Sequence, residues 1–197
     1  MRIHESAMPG VFRIEPHQFR DARGAFFEAF RVDALAEAAG VEFVPRQINY
    51  SVSRRNTLRG IHSVTLPPGQ AKFVTCVRGS LRDFVVDLRI GSPTFGQHES
   101  TVLDAASGGC VYIPEGVGHG FVALTDDTCI CYVVSTTYVP GSQINIDPMD
   151  PDLAVPWGCA DPVMSDADRA AISLSDAMAQ GILAHWRDVS PPQRLSR

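Results

Sequence analysis

Apolar residues along this chain come in short bursts, and most bursts alternate with polar positions instead of recurring at helical spacing. Val11 to Ile14, Phe26 to Phe30, Phe43 to Tyr50, Phe73 to Val77, Leu81 to Leu88, Cys110 to Ile113, Gly120 to Leu124 and Cys129 to Ser135 therefore read as strands. Val85-Val86 and Tyr132-Val133-Val134 add the β-branched and aromatic residues that strands favour. Sixteen glycines and fourteen prolines are scattered between these runs, so they punctuate the chain and mark no single linker. Two regions carry helical signals. Arg31 to Ala39 has good helix formers and stops at Gly40. Near the end, Ser165-Asp166-Ala167-Asp168 opens one turn, and Ser173-Leu174-Ser175-Asp176 resembles a capping box ahead of a helix over Ala177 to Leu183. No internal repeat or second domain is visible. The pattern predicts an all-β sandwich or barrel with short flanking helices, one domain over residues 1–197, and a polar, mobile tail from about residue 188.

Composition narrows the function classes. The chain has 197 residues and 45% apolar content, enough for a core. Its 17 Lys and Arg oppose 22 Asp and Glu, with no long basic run, which argues against nucleic acid. Local cations can still receive a small anion. No stretch reaches the roughly 20 apolar residues needed to span a bilayer. Met1-Arg2-Ile3-His4-Glu5 lacks an apolar signal core, so the expected location is the cytoplasm. The five cysteines form no C-x-x-C pair and read as free thiols, not structural zinc ligands.

The residues that carry chemistry are Arg59-Gly60-Ile61-His62, Lys72, and Pro114 through Phe121. Gly108, Pro114, Gly116 and His119 have the spacing of the second cupin motif: a strand, a tight turn, then a histidine aimed into a barrel. The first motif is incomplete. Ser63 and Val64 follow His62, leaving no H-x-H pair, and Gln70 and Lys72 stand where a glutamate ligand belongs. An ammonium in a divalent-metal shell is repelled, so a site without metal is expected. A buried lysine must then meet an anion or lose its proton. An enolate oxygen is such an anion. His62 is the natural general base, and a carboxylate behind it would fix its tautomer. Tyr132 can return a proton from the opposite ring face. Each residue alone has an ordinary reading: His62 a structural histidine, Tyr132 core, Lys72 a snorkelling side chain, Asp166 a helix N-terminal acid, Arg23 and Arg59 surface ion pairs. Their joint order favours the chemical reading.

The ordered set resembles the dTDP-4-dehydrorhamnose 3,5-epimerase family of nucleotide-sugar epimerases. It comprises Asp21-Ala22-Arg23-Gly24-Ala25-Phe26-Phe27-Glu28, Gln47-Ile48-Asn49-Tyr50-Ser51, Leu58 to His62, Pro67 to Lys72, Val86 to Arg89 with Gly91 to Gly96, Ile113 to Phe121, Tyr132, Tyr138-Val139-Pro140 and Ser165 to Asp168. The resemblance implies a cupin-like double-stranded β-helix, or jelly roll, acting as a homodimer without metal or redox cofactor. It implies a dTDP-4-keto-6-deoxyhexose substrate. It assigns His62 as base paired with Asp166, Lys72 as enolate stabiliser, Tyr132 as acid, and His119 to the sugar end. Arg23, Phe26, Glu28, Gln47, Asn49, Arg59 and Tyr138 fall at nucleotide-holding positions, the first three on an N-terminal strand that crosses to the partner. Arginine forks suit a diphosphate, an aromatic face suits thymine, and Gln or Asn suits its imide edge.

The chain departs from the family pattern at Ser63, Val117-Gly118, Ala167 and Gly141-Ser142-Gln143, all expected to reshape the walls around the sugar. Such variants resemble the antibiotic deoxysugar branch, in which inversion at carbon 3 alone competes with inversion at carbons 3 and 5. The alternatives are a 3,4-ketoisomerase, a non-catalytic nucleotide-sugar binding cupin and a metal-dependent cupin oxygenase.

Overall fold

The computed structural model describes residues 1–40 and 42–189; the expected tail lies largely outside them. Thirteen strands alternate with turns: β1 (Arg2–Glu5), β2 (Phe12–Glu15), β3 (Phe19–Asp21), β4 (Gly24–Phe26), β5 (Gln47–Ser53), β6 (Leu58–Val64), β7 (Lys72–Arg78), β8 (Ser80–Asp87), β9 (His98–Asp104), β10 (Cys110–Ile113), β11 (Val117–Ala123), β12 (Thr128–Val134) and β13 (Gln143–Asn145). Three helices are short: α1 (Val32–Ala39), α2 (Asp166–Arg169) and α3 (Leu174–Ala179).

Two antiparallel sheets face each other. One runs β1-β2-β10-β7-β12-β5 and the other β13-β6-β11-β8-β9; β3 and β4 form a separate hairpin. The order interleaves early and late strands, which is the topology of a jelly roll. Because side chains alternate along a strand, each sheet has an inner and an outer face. The inner faces share one cluster, including Val74, Leu81, Val85, Val117, Phe121 and Ile130. The outer face of the second sheet is covered by the C-terminal segments, with Leu58, Ile61, Phe84, Trp157 and Leu174 buried together. The outer face of the first is covered only in part, where α1 and Phe43 pack on Phe12, Phe73 and Tyr112.

The expected strand over Phe26 to Phe30 ends at Phe26, and the one placed at Phe43 to Tyr50 begins at Gln47. The last helix starts at Leu174, not at Ala177, because Ser173 is itself the N-cap and its side chain accepts from Asp176 N–H. β6, which holds His62, was not among the expected strands.

A local irregularity in β6 positions the site. His62 lies opposite His119 on β11, yet Arg59 lies opposite Phe121, so β6 carries one extra residue over this stretch. Residues three apart on a regular strand face opposite ways; the bulge lets Arg59 and His62 share the inner face while Leu58 and Ile61 share the outer one. The residue that absorbs it is Gly60, at φ +132° and packed so closely on β11 that a Cβ would stand 2.6 Å from Gly120 Cα.

Candidate active site

His62 projects from β6 with its ring partly open, side-chain exposure 35%. Its Nε2 lies 2.6 Å from Asp168 Oδ1. The carboxylate was expected at Asp166, and the structure places it two residues on. Asp166 is the first residue of α2 and is exposed, whereas Asp168 is buried. Helix geometry gives the reason. Ser165 caps α2 by accepting from Asp168 N–H, and its hydroxyl donates to Asp168 Oδ2 at 2.9 Å. This turns the Asp168 side chain back toward the helix start and leaves Oδ1 for His62. Burial would raise the Asp168 carboxyl, but hydrogen bonds from His62 and Ser165 and the Arg59 charge lower it on balance. With one ring nitrogen held by Asp168, the other is free to take a proton.

Lys72 opens β7 on the facing sheet and is buried. Its Nζ donates to the His62 carbonyl at 3.2 Å. Burial pushes its ammonium down to about 8, with the Asp83 carboxylate pulling the other way. Tyr132 lies on the inner face of β12 against the interior cluster, its hydroxyl 3.5 Å from Ser51 Oγ. Burial, with Asp83 acting in the same direction, pushes the phenol up, so it carries its proton across the neutral range. The rings of His119 and Tyr132 meet edge to face at 5.8 Å. Since His119 sits opposite His62, its ring links His62 and Tyr132 across the interior.

His119 brings in a residue the sequence reading missed. Its Nε2 lies 2.6 Å from Asp83 Oδ1, and both residues are buried. Asp83 is an isolated acid within a β-branched strand and has no motif around it; the only signal was a charge at an inward position of β8.

The expected nucleotide residues fall into two groups. Arg59 donates through Nε to Ser53 Oγ on β5. Gln47 Nε2 donates to Asn49 Oδ1 at 2.7 Å, and Gln47 Oε1 accepts from Tyr138 N–H at 3.0 Å, so these three form one shelf. Asn49 lies opposite Tyr132 in the β5–β12 ladder. Arg23, Phe26 and Glu28 stand apart, on or just after the β3–β4 hairpin. All three are exposed, and Arg23 turns back to Asp21 and Glu28 to Arg31. The hairpin is anchored beside it, where Gln18 donates to Ala106 and Ser107 carbonyls and Phe27 covers Gly108.

Two of the departures point away from His62 and His119. Ser63 follows His62 and so leaves the strand on the opposite face, where it is buried and donates to Val117 O. A side chain at Gly118 would run into Ile61 and Leu88 on the outer face, with Cγ2 of Ile61 at 2.6 Å. Ala167 is exposed on α2. Of these four, only Val117 faces the interior, while Gly141 and Ser142 lead into β13, where Gln143 pairs with Val64 of β6. For Ser63 and Gly118 the expectation that they rebuild the walls around the sugar is corrected, because both point to the outer face.

A jelly roll that brings together a histidine–carboxylate pair, a buried lysine and a partly buried tyrosine fits an acid–base enzyme of the isomerase class. The chain belongs to the dTDP-4-dehydrorhamnose 3,5-epimerase family, which matches residues 5–176. It is similar to dTDP-4-dehydrorhamnose 3-epimerase of Streptomyces niveus, 47% identical over 93% of this chain and 88% of the relative. It is 40% identical to dTDP-4-dehydro-6-deoxyglucose 3-epimerase of Streptomyces bikiniensis, over 99% of this chain and all of the relative. Among solved structures, a 4-keto-6-deoxy sugar epimerase from the novobiocin biosynthetic gene cluster of Streptomyces spheroides superposes with a TM-score of 0.94 at 45% identity, covering 96% of each chain.

Proposed function

We propose that this enzyme inverts carbon 3 of a dTDP-4-keto-6-deoxyhexose through an enolate, in deoxysugar biosynthesis. The observation that carries the reading is the placement of His62 and Tyr132 on facing sheets, on either side of His119 and beside the buried Lys72. The keto group acidifies the neighbouring C–H. His62 takes that proton on its free ring nitrogen, and the Asp168 carboxylate stabilises the resulting imidazolium. The C–H electrons move into the enolate, whose oxygen meets the Lys72 ammonium. The Tyr132 phenol then delivers a proton to the opposite face of carbon 3, and the ketone re-forms. Electrons and protons balance without a redox cofactor.

The same reading makes the site metal-free, because Lys72 occupies the wall where a further ligand would be needed. Among the described residues no group of three or more His, Cys, Asp or Glu is placed to hold an ion. We further propose one domain, acting in the cytoplasm, where its free cysteines stay reduced. We also propose a homodimer. Ile48, Tyr50 and Val52 leave the outer face of β5 between 52% and 64% exposed, continuous with Cys131 and Val133 on β12. Such an apolar sheet face is suited to a second copy, and the exposed hairpin with Arg23, Phe26 and Glu28 would reach that copy's nucleotide shelf.

Incubation of the protein with dTDP-4-keto-6-deoxyglucose in heavy water tests the chemistry. Deuterium at the inverted carbon is expected. A product inverted at carbon 3 but free of deuterium would rule the enolate route out. Label at carbon 5 as well would make the enzyme a double epimerase.

A further inference from the structure

We propose that Ser51 is a positioning residue for Tyr132: its hydroxyl steadies the phenolate left when Tyr132 gives up its proton, and returns a solvent proton to it before the next turnover. Ser51 lies on β5 opposite Ile130 of β12, and Tyr132 lies opposite Asn49, so Ser51 and Tyr132 are diagonal neighbours in this ladder. Ile130 and Tyr132 pack in the interior cluster, and directly opposed residues share a face, so Ser51 points inward with them. The contact is direct. Ser51 Oγ stands 3.5 Å from the Tyr132 hydroxyl, and among the described residues it is that hydroxyl's one hydrogen-bond neighbour. The His119 ring meets Tyr132 edge to face, but its Nε2 is engaged by Asp83. A separation of 3.5 Å is long for two neutral hydroxyls; a negative phenolate oxygen draws an O–H donor in to about 2.5–2.7 Å. A phenolate enclosed without such a donor is costly. β5 is the edge of its sheet, and Ser51 is half-buried beside the exposed Asn49, which puts its hydroxyl between Tyr132 and solvent. The protons balance over a turnover. His62 releases the substrate proton to solvent, Tyr132 gives its own to carbon 3, and one solvent proton passes through Ser51 to the phenolate while the serine O–H is renewed.

The inference rests on Tyr132 being the proton donor of the proposed reaction, and the two claims have separate tests. Two rates are followed in heavy water with dTDP-4-keto-6-deoxyglucose: inversion at carbon 3, which needs Tyr132, and deuterium entry into substrate that is not inverted, which needs His62 alone. Native enzyme, Ser51→Ala, Ser51→Thr and Tyr132→Phe are compared, with dTDP binding as the check on folding. Ser51→Ala is expected to lower kcat for inversion about 10–100-fold, the worth of a hydrogen bond to a charged group. Its KM and its exchange into substrate should stay near native. Ser51→Thr keeps a hydroxyl at a strand position that suits threonine, and should recover most of the lost inversion. Native inversion in Ser51→Ala overturns the Ser51 role. So does an equal loss of inversion and exchange, which marks general damage to the site, and so does a Ser51→Thr protein no faster than Ser51→Ala. If Ser51→Ala does not bind dTDP, Ser51→Cys takes its place and is read in the same way, its thiol being a weak donor. Tyr132→Phe is expected to exchange without inverting; native inversion in that variant overturns the reading beneath, whatever Ser51 does.

Discussion

In the proposed mechanism, proton abstraction by His62 depends on which ring nitrogen is free, and the Asp168 contact decides that. His62→Asn is therefore expected to lower deuterium exchange by about 10²–10⁴-fold, the usual worth of a general base. The two nearby carboxylates should behave very differently. Asp168→Asn breaks the pairing with His62 and should cost turnover heavily, with substrate affinity little changed. Asp166→Asn sits exposed on the first turn of α2 and should leave turnover close to native. Equal losses in both would show that the Asp168 contact is not the working one. The same pair has a pH signature. The folded state lowers the Asp168 carboxyl, so its contribution to stability is present above the ordinary carboxylate range and is lost as pH falls through the lowered value. Lys72 works in the opposite sense. Its ammonium is held down to about 8, so the enolate-binding charge should fade, and kcat with it, as pH rises through that value. Over the same interval the penalty for burying the charge relaxes. A pH–rate profile set beside a pH–melting profile should show activity falling while this group no longer destabilises the fold. At this scale the sequence was informative where residue type restricts chemistry, as for His62, Lys72 and Tyr132. It could not choose between Asp166 and Asp168, because that choice depends on which one the Ser165 cap turns toward β6.

Strand β6 shows why elements that build a site are the hardest to read. Arg59, Gly60, His62 and Ser63 interrupt the apolar alternation that identifies β8 or β12, because an inward face lined for catalysis is polar. The bulge removes the remaining periodicity. β9 escaped notice for a related reason: it is the edge of its sheet, and His98-Glu99-Ser100-Thr101 reads as a loop. Where strands serve only the core, as with β10 and much of β7, β8 and β12, the expected and observed spans nearly coincide. The bulge also makes a stability prediction. Gly60→Ala places a Cβ 2.6 Å from backbone at Gly120, on a residue whose φ of +132° suits glycine alone. Backbone strain and overpacking together should cost about 2–5 kcal/mol, read as a lowered urea midpoint. Any folded fraction should lose activity, because Arg59 and His62 would no longer share a face. Native stability in the Gly60→Ala protein would show that the close approach of β6 and β11 is not needed.

On the scale of the molecule, the proposed homodimer is what would complete the site. The nucleotide shelf of Gln47, Asn49 and Tyr138 lies beside the catalytic cluster, while Arg23, Phe26 and Glu28 belong to a hairpin anchored at the Ala106–Gly108 turn. An aromatic ring 68% exposed on a small hairpin, and an apolar outer face on β5, are both costly unless a second copy covers them. If the hairpin serves the partner's site, Arg23→Ala and His62→Asn should each be inactive alone yet complement one another when subunits are exchanged. In a mixed dimer, one site receives an intact His62 from the first chain and an intact Arg23 from the second, and that site should turn over. The other site lacks both. Activity should therefore appear on mixing, after subunit exchange. Tyr50→Asp in either chain should abolish it by preventing pairing, with the monomer seen by sedimentation. If Arg23 instead folds onto its own chain's shelf, each mixed dimer holds two sites with one defect apiece, and mixing restores nothing. Complementation thus tests the geometry of the hairpin independently of whether the protein is a dimer, because a dimer without strand exchange would sediment identically and remain inactive.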